Sequence, residues 1–497
     1  MESVRDPQNT SARSPHVLGR TSSSSELEFD SGSFRDRTDR VFIHHNQVYR
    51  ALSEQSLADW RRASRQTFYQ QLATAGRIIP TVELSPQQVA DLPMPAGYAA
   101  VLQHEQIPFV TYPYEWSFSM LRQAALLHLE ILTEAVNQGT ILKDSSPYNV
   151  QFRGSRPVFI DTGSFVALGD GEPWAGYRQF CEMMLFPLLL QAYRQIDIQP
   201  VLRVRLDGIS AREFLRPLAW RDMLRGGVFT HGWLQAMLES QAGSSQTDTI
   251  GALKSSGFDR SLIQKNLSKL MRLIRRLTWN PNATQWTRYR TALAHVVKDA
   301  ETKTEFVQSA CQSRRRSLVW DLGCNDGHFS RIAAQHANTV LAMDQDHGCV
   351  EKLYCDLSAE GSERIVPLCV DLLNPSAALG WRGRERKRLE DRGRPELILC
   401  LGLIHHLVIA GNIPLPEVVN WLASLTAEVV IEFPSKRDPM VQRLLRNKRD
   451  QYSDYSLPAL EAALADNGFQ IQRKSDLPSG ERTLLYATSG APMAGGA

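Results

Sequence analysis

The 497-residue chain is long enough for two or three domains, each with its own hydrophobic core. Hydrophobic residues make up 43% of the chain and charged residues 22%, which is ordinary for a soluble globular protein. A net charge of +3 is too small to indicate nucleic-acid binding by itself. The bulk numbers therefore predict a globular protein with no clear nucleic-acid partner.

Cysteine usage and the apolar runs bear on the compartment. The seven cysteines contain no C-x-x-C pair, and their odd number favours free thiols in a reducing compartment over disulfides or zinc. No metal centre is expected. The N-terminus lacks the apolar core of a signal peptide, and the longest apolar run is too short to span a bilayer. We therefore expect a cytoplasmic protein without a membrane span.

The first half of the chain changes character near residue 37. Residues 1–36 are rich in Ser, Arg and Asp and predict a disordered tail. Short strands and amphipathic helices follow. The predicted elements are two strands within 41–52 around a turn at His45-Asn46, a helix within 55–77, strands at 99–103 and 108–112, and helices at 118–137 and 177–193.

Two loops after the 118–137 helix carry polar side chains at suggestive spacing. Asp144 and Asn149 are five residues apart, and Asp161 opens an Asp-Thr-Gly turn after an apolar strand. This pattern resembles the catalytic and metal-binding loops of protein-kinase-like folds. The resemblance implies an α+β kinase-like domain over 37–250. It also implies that Asp144 orients a substrate hydroxyl, while Asn149 and Asp161 hold magnesium against the phosphates of ATP.

The same region departs from that family. No glycine-rich phosphate loop precedes Val48, and Arg50 occupies the strand position where such kinases place a lysine. An arginine cannot be assumed to do the work of a lysine on phosphates. The sequence therefore favours a degenerate kinase-like domain that binds or scaffolds. Mg-ATP binding and active phosphotransfer are the alternatives.

A helical linker is predicted over 251–311. Its first helix, at 258–277, interleaves basic residues with leucines. Such a helix either contacts nucleic acid or an acidic membrane, or simply packs its leucines and solvates its charges, and we favour the second interpretation. A further helix at 284–311 leads into the next strand.

The most informative stretch is 318–330, where an apolar run turns through Gly323 and Gly327 into a helical pattern. The first glycine permits a sharp turn, and the second lets the backbone approach a ligand. Seventeen residues past Gly327, a second apolar run ends at Asp344, which is positioned to accept hydrogen bonds from a ribose diol.

This arrangement resembles class I S-adenosylmethionine-dependent methyltransferases, over about residues 301–490. The resemblance implies an α/β domain at 312–490 with a seven-stranded, doubly wound, Rossmann-like sheet, followed by a flexible tail at 491–497. The long C-terminal segment is also similar to methyltransferase-like proteins linked to bacterial nodulation. The cofactor-binding residues implied are Asp321, Gly323, Asn325, Gly327, Asp344, Asp371 beside the adenine, and Leu401 at the end of the fourth strand.

The same family resemblance bears on catalysis. Residues 403–407, Leu-Ile-His-His-Leu, follow the fourth strand, so His405 or His406 is either a catalytic base or part of the pocket wall. Glu432 is a weaker candidate for the acceptor site, with pairing to Lys436 or Arg437 as the alternative. The basic stretch 380–395 is predicted to be a charged surface excursion.

The sequence as a whole predicts a methyltransferase that uses S-adenosylmethionine on an unidentified acceptor. The double histidine favours O- or C-methylation of a small molecule or glycan. One alternative is a bifunctional protein with phosphotransfer in its first domain. Another is a non-catalytic ligand-binding or scaffold protein.

Overall fold

Two β-sheets organise the part of the chain that the structure, a computed structural model, describes: residues 28–94, 97–237, 260–281 and 294–490. Within these residues, no helix combines the length and the apolar character needed to cross a membrane. The predicted 491–497 tail and most of the 1–36 tail lie outside the described residues.

The first sheet is antiparallel and has the strand order β1-β2-β3-β5-β4. The predicted hairpin is confirmed, and its turn residues His45 and Asn46 both have positive φ, of 45° and 59°. The elements are β1 (Glu28–Phe29), β2 (Asp39–His44), β3 (Gln47–Leu52), α1 (Glu54–Ser64), α2 (Thr67–Thr74), β4 (Thr81–Glu83), α3 (Pro86–Ala90) and β5 (Ala100–His104).

The structure differs from the sequence predictions at two places in this region. Residues 28–36 are not a disordered tail, because β1 pairs with β2 and the Phe29 ring packs 5.9 Å from that of Phe42. Residues 108–112 form no strand. The buried side chain of Gln151 satisfies the backbone of Thr111 instead, accepting from its N–H at 2.7 Å and donating to its carbonyl at 2.9 Å.

A long buried helix, α4 (Phe118–Asn137), follows as predicted. The predicted helix at 177–193 is also confirmed, with a π-helical segment at Cys181–Leu185 just before Pro187. The elements after α4 are β6 (Thr140–Leu142), β7 (Val150–Arg153), β8 (Arg156–Phe159), β9 (Phe165–Ala167), α5 (Tyr177–Phe180), α6 (Phe186–Arg194), α7 (Ile198–Val204) and α8 (Ala211–Leu215). β6 pairs with β9, and β7 pairs with β8.

The two described helices of the 251–311 segment pack onto different parts of the protein. The basic helix, α9 (Arg260–Arg276), buries one apolar face against α4, as its leucine spacing predicts. Its C-terminal end is tied by Arg122, which donates to the Leu277 carbonyl at 2.9 Å. The next helix, α10 (Ala294–Gln312), packs instead beside the C-terminal sheet.

The C-terminal sheet has seven strands in the order β12-β11-β10-β13-β14-β16-β15. The first five strands in this order are parallel, and β16 and β15 are antiparallel, so the predicted doubly wound sheet with a final hairpin is confirmed. The strands are β10 (Arg316–Leu322), β11 (Ala337–Asp344), β12 (Ile365–Cys369), β13 (Leu397–Cys400), β14 (Glu428–Pro434), β15 (Phe469–Asp476) and β16 (Arg482–Ser489). The helices are α11 (His328–Gln335), α12 (His347–Glu360), α13 (Leu415–Leu425), α14 (Pro439–Leu445) and α15 (Leu457–Asp466).

The N-terminal region and the C-terminal sheet share one hydrophobic core. Phe109 packs edge-on against Trp320 of β10, with ring centroids 6.2 Å apart. Phe152 of β7 packs in the same way against Tyr354 of α12, at 6.1 Å. The domain boundaries predicted from the sequence therefore fall within a continuously packed body, and they remain predictions.

Candidate active site

A cavity of about 240 Å³ lies at the carboxyl ends of the parallel strands of the C-terminal sheet. In an open α/β sheet this is the edge where ligands bind. Residues directly after β10, β11, β12 and β13 line it, together with one face of α10. The lining includes Asp299, Lys303, Asp321, Gly323, Asn325, Asp344, Val370, Asp371, Leu372, Leu373, Leu401, Leu403, His406, Glu432 and Arg482.

The turn after β10 places Gly323 against the cavity and Gly327 away from it. Both glycines have positive φ, of 73° and 76°. A Cβ on Gly323 would meet Leu403 at an ordinary 3.5 Å. A Cβ on Gly327 would lie 2.5 Å from Leu353 Cδ1, so the missing side chain at Gly327 leaves room for Leu353 of α12. Gly327 does not line the cavity, and its predicted ligand contact finds no support there.

Asp344, the last residue of β11, holds the glycine turn in place. Its Oδ2 accepts from the backbone N–H of Asn325 at 2.8 Å, and its Oδ1 accepts from that of Asp346 at 2.9 Å. Burial raises the pKa of Asp344, and these two hydrogen bonds offset part of the effect. The carboxylate predicted to bind the ribose therefore lies at the cavity. Its hydrogen bonds to backbone N–H groups hold both the carboxylate and the turn in place.

Asp321 lies deeper in the same wall and is 2% exposed. Ser330 Oγ donates to its Oδ2 at 2.5 Å. Burial raises the pKa of Asp321 to about 6, although the Ser330 hydrogen bond and the positive charge of Lys303 oppose this. Asp321 therefore carries a negative charge near neutral pH at the bottom of the cavity.

Asp371 and Leu401 complete the set of predicted cofactor-binding residues that the fold brings together. Asp371 is exposed at the cavity mouth, and its Oδ1 accepts from the backbone N–H of Leu373 at 2.9 Å. Leu401 is buried and directly follows β13. These two residues and four others of the predicted seven, Asp321, Gly323, Asn325 and Asp344, line one cavity.

The two histidines have different positions. His406 starts a π-helical turn, His406–Ala410, and lines the cavity, whereas His405 is 1% exposed and does not. Neither ring nitrogen of His405 has a hydrogen-bond partner among the described residues. Burial lowers the pKa of His406 to about 4, with a further contribution from Arg482, and lowers that of His405 more strongly. Both imidazoles are therefore neutral at pH 7.

A buried network of charges lies beside His406. Glu432 accepts from Lys303 Nζ at 2.5 Å and from Arg482 Nη1 at 3.0 Å, and Arg482 Nε donates to Asp438 at 2.7 Å. Burial alone would raise the pKa of Glu432, but Lys303 and Arg482 outweigh it and lower the pKa to about 2. The alternative partners expected for Glu432 are engaged elsewhere: Lys436 pairs with Asp450, and Arg437 with Glu481.

Sequence reasoning missed Lys303 and Arg482. Lys303 lies one helical turn after Asp299 on α10, and both residues line the cavity. The i, i+4 spacing of these two opposite charges is the sequence feature that could have indicated that this face of α10 lies at a polar site. Arg482 begins the last strand, and its role depends on pairing between β14 and β16, which no local pattern encodes.

The polar residues predicted in the N-terminal region also come together. Asn149 Nδ2 donates to Asp144, and Arg50 Nη1 lies 3.0 Å from Asp161 Oδ1. Burial, followed by the nearby negative charge of Asp161, raises the pKa of Asp144 to about 6. Among the described residues, no group of three or more His, Cys, Asp or Glu side chains is arranged to hold a metal ion.

Comparison with solved structures gives low overall similarity. Magnesium protoporphyrin IX methyltransferase from Synechocystis, with bound S-adenosylhomocysteine, is 19% identical, covers 42% of this chain and 95% of its own, and has a TM-score of 0.31. The N-methyltransferase NodS from Bradyrhizobium japonicum, in complex with the same molecule, is 14% identical, covers 42% and 94%, and also has a TM-score of 0.31. No protein-family model matches the chain.

One characterised sequence is similar along nearly the whole chain. Nodulation protein NoeA of Rhizobium meliloti is 33% identical over 455 residues, which are 91% of this chain and 94% of NoeA. This similarity includes the N-terminal region as well as the C-terminal sheet, since it extends over far more residues than either contains. The chain belongs to the family of nodulation protein NoeA.

Proposed function

We propose that this protein is an S-adenosylmethionine-dependent methyltransferase that acts on a small-molecule or glycan acceptor. The observation that carries the proposal is the cavity at the carboxyl ends of the parallel strands. It gathers six residues that were predicted from the sequence to bind this cofactor.

The residues present fit the chemistry of this cofactor. Asp321, Asp344 and Asp371 place negative charge around the cavity, which suits a ligand with sulfonium and ammonium groups and a ribose diol. Val370 and Leu401 supply apolar surface for a flat base. The cofactor, when bound, supplies a methyl group on a positively charged sulfur.

We propose His406, rather than His405, as the candidate catalytic base. His406 lines the cavity, and its imidazole is neutral at pH 7 and can accept a proton from an acceptor hydroxyl or acidic carbon, but a pKa of about 4 makes it a weak base. His405 is enclosed behind it and would support the cavity wall. This division of roles keeps O- or C-methylation as the proposed reaction.

Calorimetry with S-adenosylmethionine tests the proposal most directly. We expect saturable binding to the full chain and at least ten-fold weaker binding to Asp344→Ala, because the turn and the ribose site both lose their carboxylate. Asp356→Asn, which changes an exposed carboxylate on α12 paired with Lys352, is the matched control. No heat of binding in a large excess of the nucleoside would refute the proposal.

Turnover requires a second assay, since binding alone is also compatible with a non-catalytic receptor. Purified protein and methyl-labelled cofactor would be incubated with small-molecule and glycan fractions of a cell extract. Transfer of label in the wild type, and its loss in Asp344→Ala, is the expected result. Binding without any label transfer would favour the ligand-binding alternative.

The N-terminal region supports a binding or scaffolding role better than phosphotransfer. The Arg50 guanidinium pairs with Asp161, the carboxylate that the kinase resemblance assigns to magnesium, and thereby competes with a cation for it. We therefore propose that this region has no phosphotransferase activity. Release of phosphate from ATP that disappears in Asp161→Ala would overturn this and restore the bifunctional alternative with Mg-ATP.

A further inference from the structure

A short segment of the N-terminal region, Tyr112–Ser119, contacts two elements that adjoin the C-terminal cavity. Glu115 in this segment is 1% exposed. Its carboxylate accepts from Arg392 Nη1 at 2.8 Å and from Arg392 Nη2 at 2.5 Å. It also accepts a hydrogen bond from Ser376 Oγ. Arg392 is equally buried, so the predicted surface excursion at 380–395 ends in a buried ion pair.

The two partners of Glu115 lie in one connection, one near its start and the other at its end. This connection, residues 371–392, joins β12 to the approach of β13 and is called the strap here. The first three residues of the strap, Asp371, Leu372 and Leu373, line the cavity. Ser376 follows three residues later, and Arg392 is the last residue of the strap. A single carboxylate therefore holds the strap at its last residue and just after its cavity-lining part.

Further hydrogen bonds fix the strap to the same region. Arg203 of α7 donates to the carbonyls of Asn374 and Pro375, at 2.8 and 2.7 Å. The backbone N–H of Lys387 donates to Tyr112 Oη at 2.8 Å. The first of these contacts lies directly beside Leu373, so N-terminal residues determine where the cavity-lining part of the strap sits.

The second element is helix α12, which Ser119 contacts four residues after Glu115. The backbone N–H and Oγ of Ser119 donate to Glu351 of α12 at 2.9 and 2.6 Å. Helix α12 begins directly after Asp344 and Gln345, which line the cavity, and Asp346 caps its N-terminus. The segment Tyr112–Ser119 thus contacts both the strap and the helix that follows the proposed ribose carboxylate.

We propose that Glu115 is a positioning residue that sets the cavity's affinity for the cofactor by holding the strap. The inference rests on the proposed function, because it concerns the same site. Its physical basis is the isolation of the ion pair from water. Removing the Glu115 charge would leave the buried Arg392 guanidinium with the Val110 carbonyl as an acceptor but without its counter-charge, and the strap would move to return that guanidinium to solvent.

Two variants of the full chain test the inference. Glu115→Gln keeps the side-chain size but removes the charge, and Ser376→Ala removes one hydrogen bond without stranding a charge. The control is Glu130→Gln, on the same N-terminal side, where an α4 carboxylate pairs with Arg77 at the surface. The dissociation constant for S-adenosylmethionine is measured by calorimetry, with the melting temperature as a measure of folding.

We expect at least a ten-fold rise in the dissociation constant for Glu115→Gln and about a three-fold rise for Ser376→Ala, whose melting temperature stays close to that of the wild type. Hydrogen exchange should show residues 371–392 becoming protected by the cofactor in the wild type and less so in both variants. Wild-type binding with unchanged affinity in both variants overturns the inference alone. Absence of binding by the wild type overturns the proposed function, and the inference with it.

Discussion

Lys303 Nζ lies 2.5 Å from Glu432 Oε2, although 129 positions separate the two residues in the chain. Lys303 comes from the helix that precedes the C-terminal sheet, and Glu432 comes from β14 near its middle. Glu432 is fully enclosed, so its charge is compensated by two cations rather than by water. This ion pair connects α10 to β14 across the cavity and places charged side chains at its inner end.

Replacing Glu432 by Gln should destabilise the protein by about 2–3 kcal/mol, because it removes the buried charge that compensates both the half-buried Lys303 and the buried Arg482. Arg482 would keep Asp438 as its partner. The free energy of unfolding in urea at pH 7.5 measures the effect. Glu461→Gln, which removes an exposed pairing with Lys474, should change it by less than about 0.5 kcal/mol. Equal effects of the two substitutions would contradict the role assigned to Glu432.

Stability should fall as the pH decreases from about 6.5 to 4, in part because of His406. The folded-state pKa of His406 is about 4, below the ordinary value of 6.5. The unfolded chain therefore takes up a proton in this window while the folded protein does not, which favours unfolding. Melting temperatures at pH 7.5 and pH 5 should differ less in His406→Gln than in the wild type. An identical pH dependence in both proteins would show that His406 is not buried as a neutral imidazole.

Asp144→Asn should stabilise the N-terminal region above pH 6. The folded-state pKa of Asp144 is about 6, above the ordinary value of 3.8, so ionisation of this carboxyl opposes folding at higher pH. The amide keeps an oxygen that can accept from Asn149 and removes the repulsion from Asp161. Melting curves at pH 8 and pH 4 check this, and the gain should disappear at pH 4. A loss of stability at pH 8 would indicate that the charge is needed.

The two glycines of the turn should respond differently to alanine. Gly327→Ala should cost about 2 kcal/mol or more, because a left-handed φ is combined with a clash against Leu353. Gly323→Ala should cost about 1 kcal/mol, since only the φ is unfavourable, but it should weaken cofactor binding by placing a methyl group at the cavity. Unfolding in urea and calorimetry separate the two effects. A rescue of Gly327→Ala by Leu353→Ala would confirm that the clash is the cause.

Local patterns predicted most of the C-terminal sheet and six of the residues that line its cavity. Apolar runs, a glycine turn and an acid at the end of the second strand are all encoded within about 30 residues, so periodicity and spacing are enough to find them. The hairpin at His45-Asn46 was also predicted from two short strand patterns around a turn, and both turn residues have positive φ.

The parts that could not be predicted depend on contacts between distant segments. Arg392 looks like one of many surface arginines until Glu115 is placed against it, 277 positions away. Gly327 looks like a ligand-binding glycine until Leu353 is packed over it. In both cases the partner is distant in the chain, and the residues next to Arg392 and Gly327 do not indicate it. Local sequence therefore does not predict which residues these two contact.

The hydrogen bonds between Ser119 and Glu351 also bear on how this protein should be handled experimentally. A fragment that begins at residue 294 would retain every strand of the seven-stranded sheet, yet the flank of α12 and the apolar surface around Tyr354 would face water. Such a fragment should aggregate, and any search for the acceptor of the proposed methyl transfer is best made with the intact polypeptide.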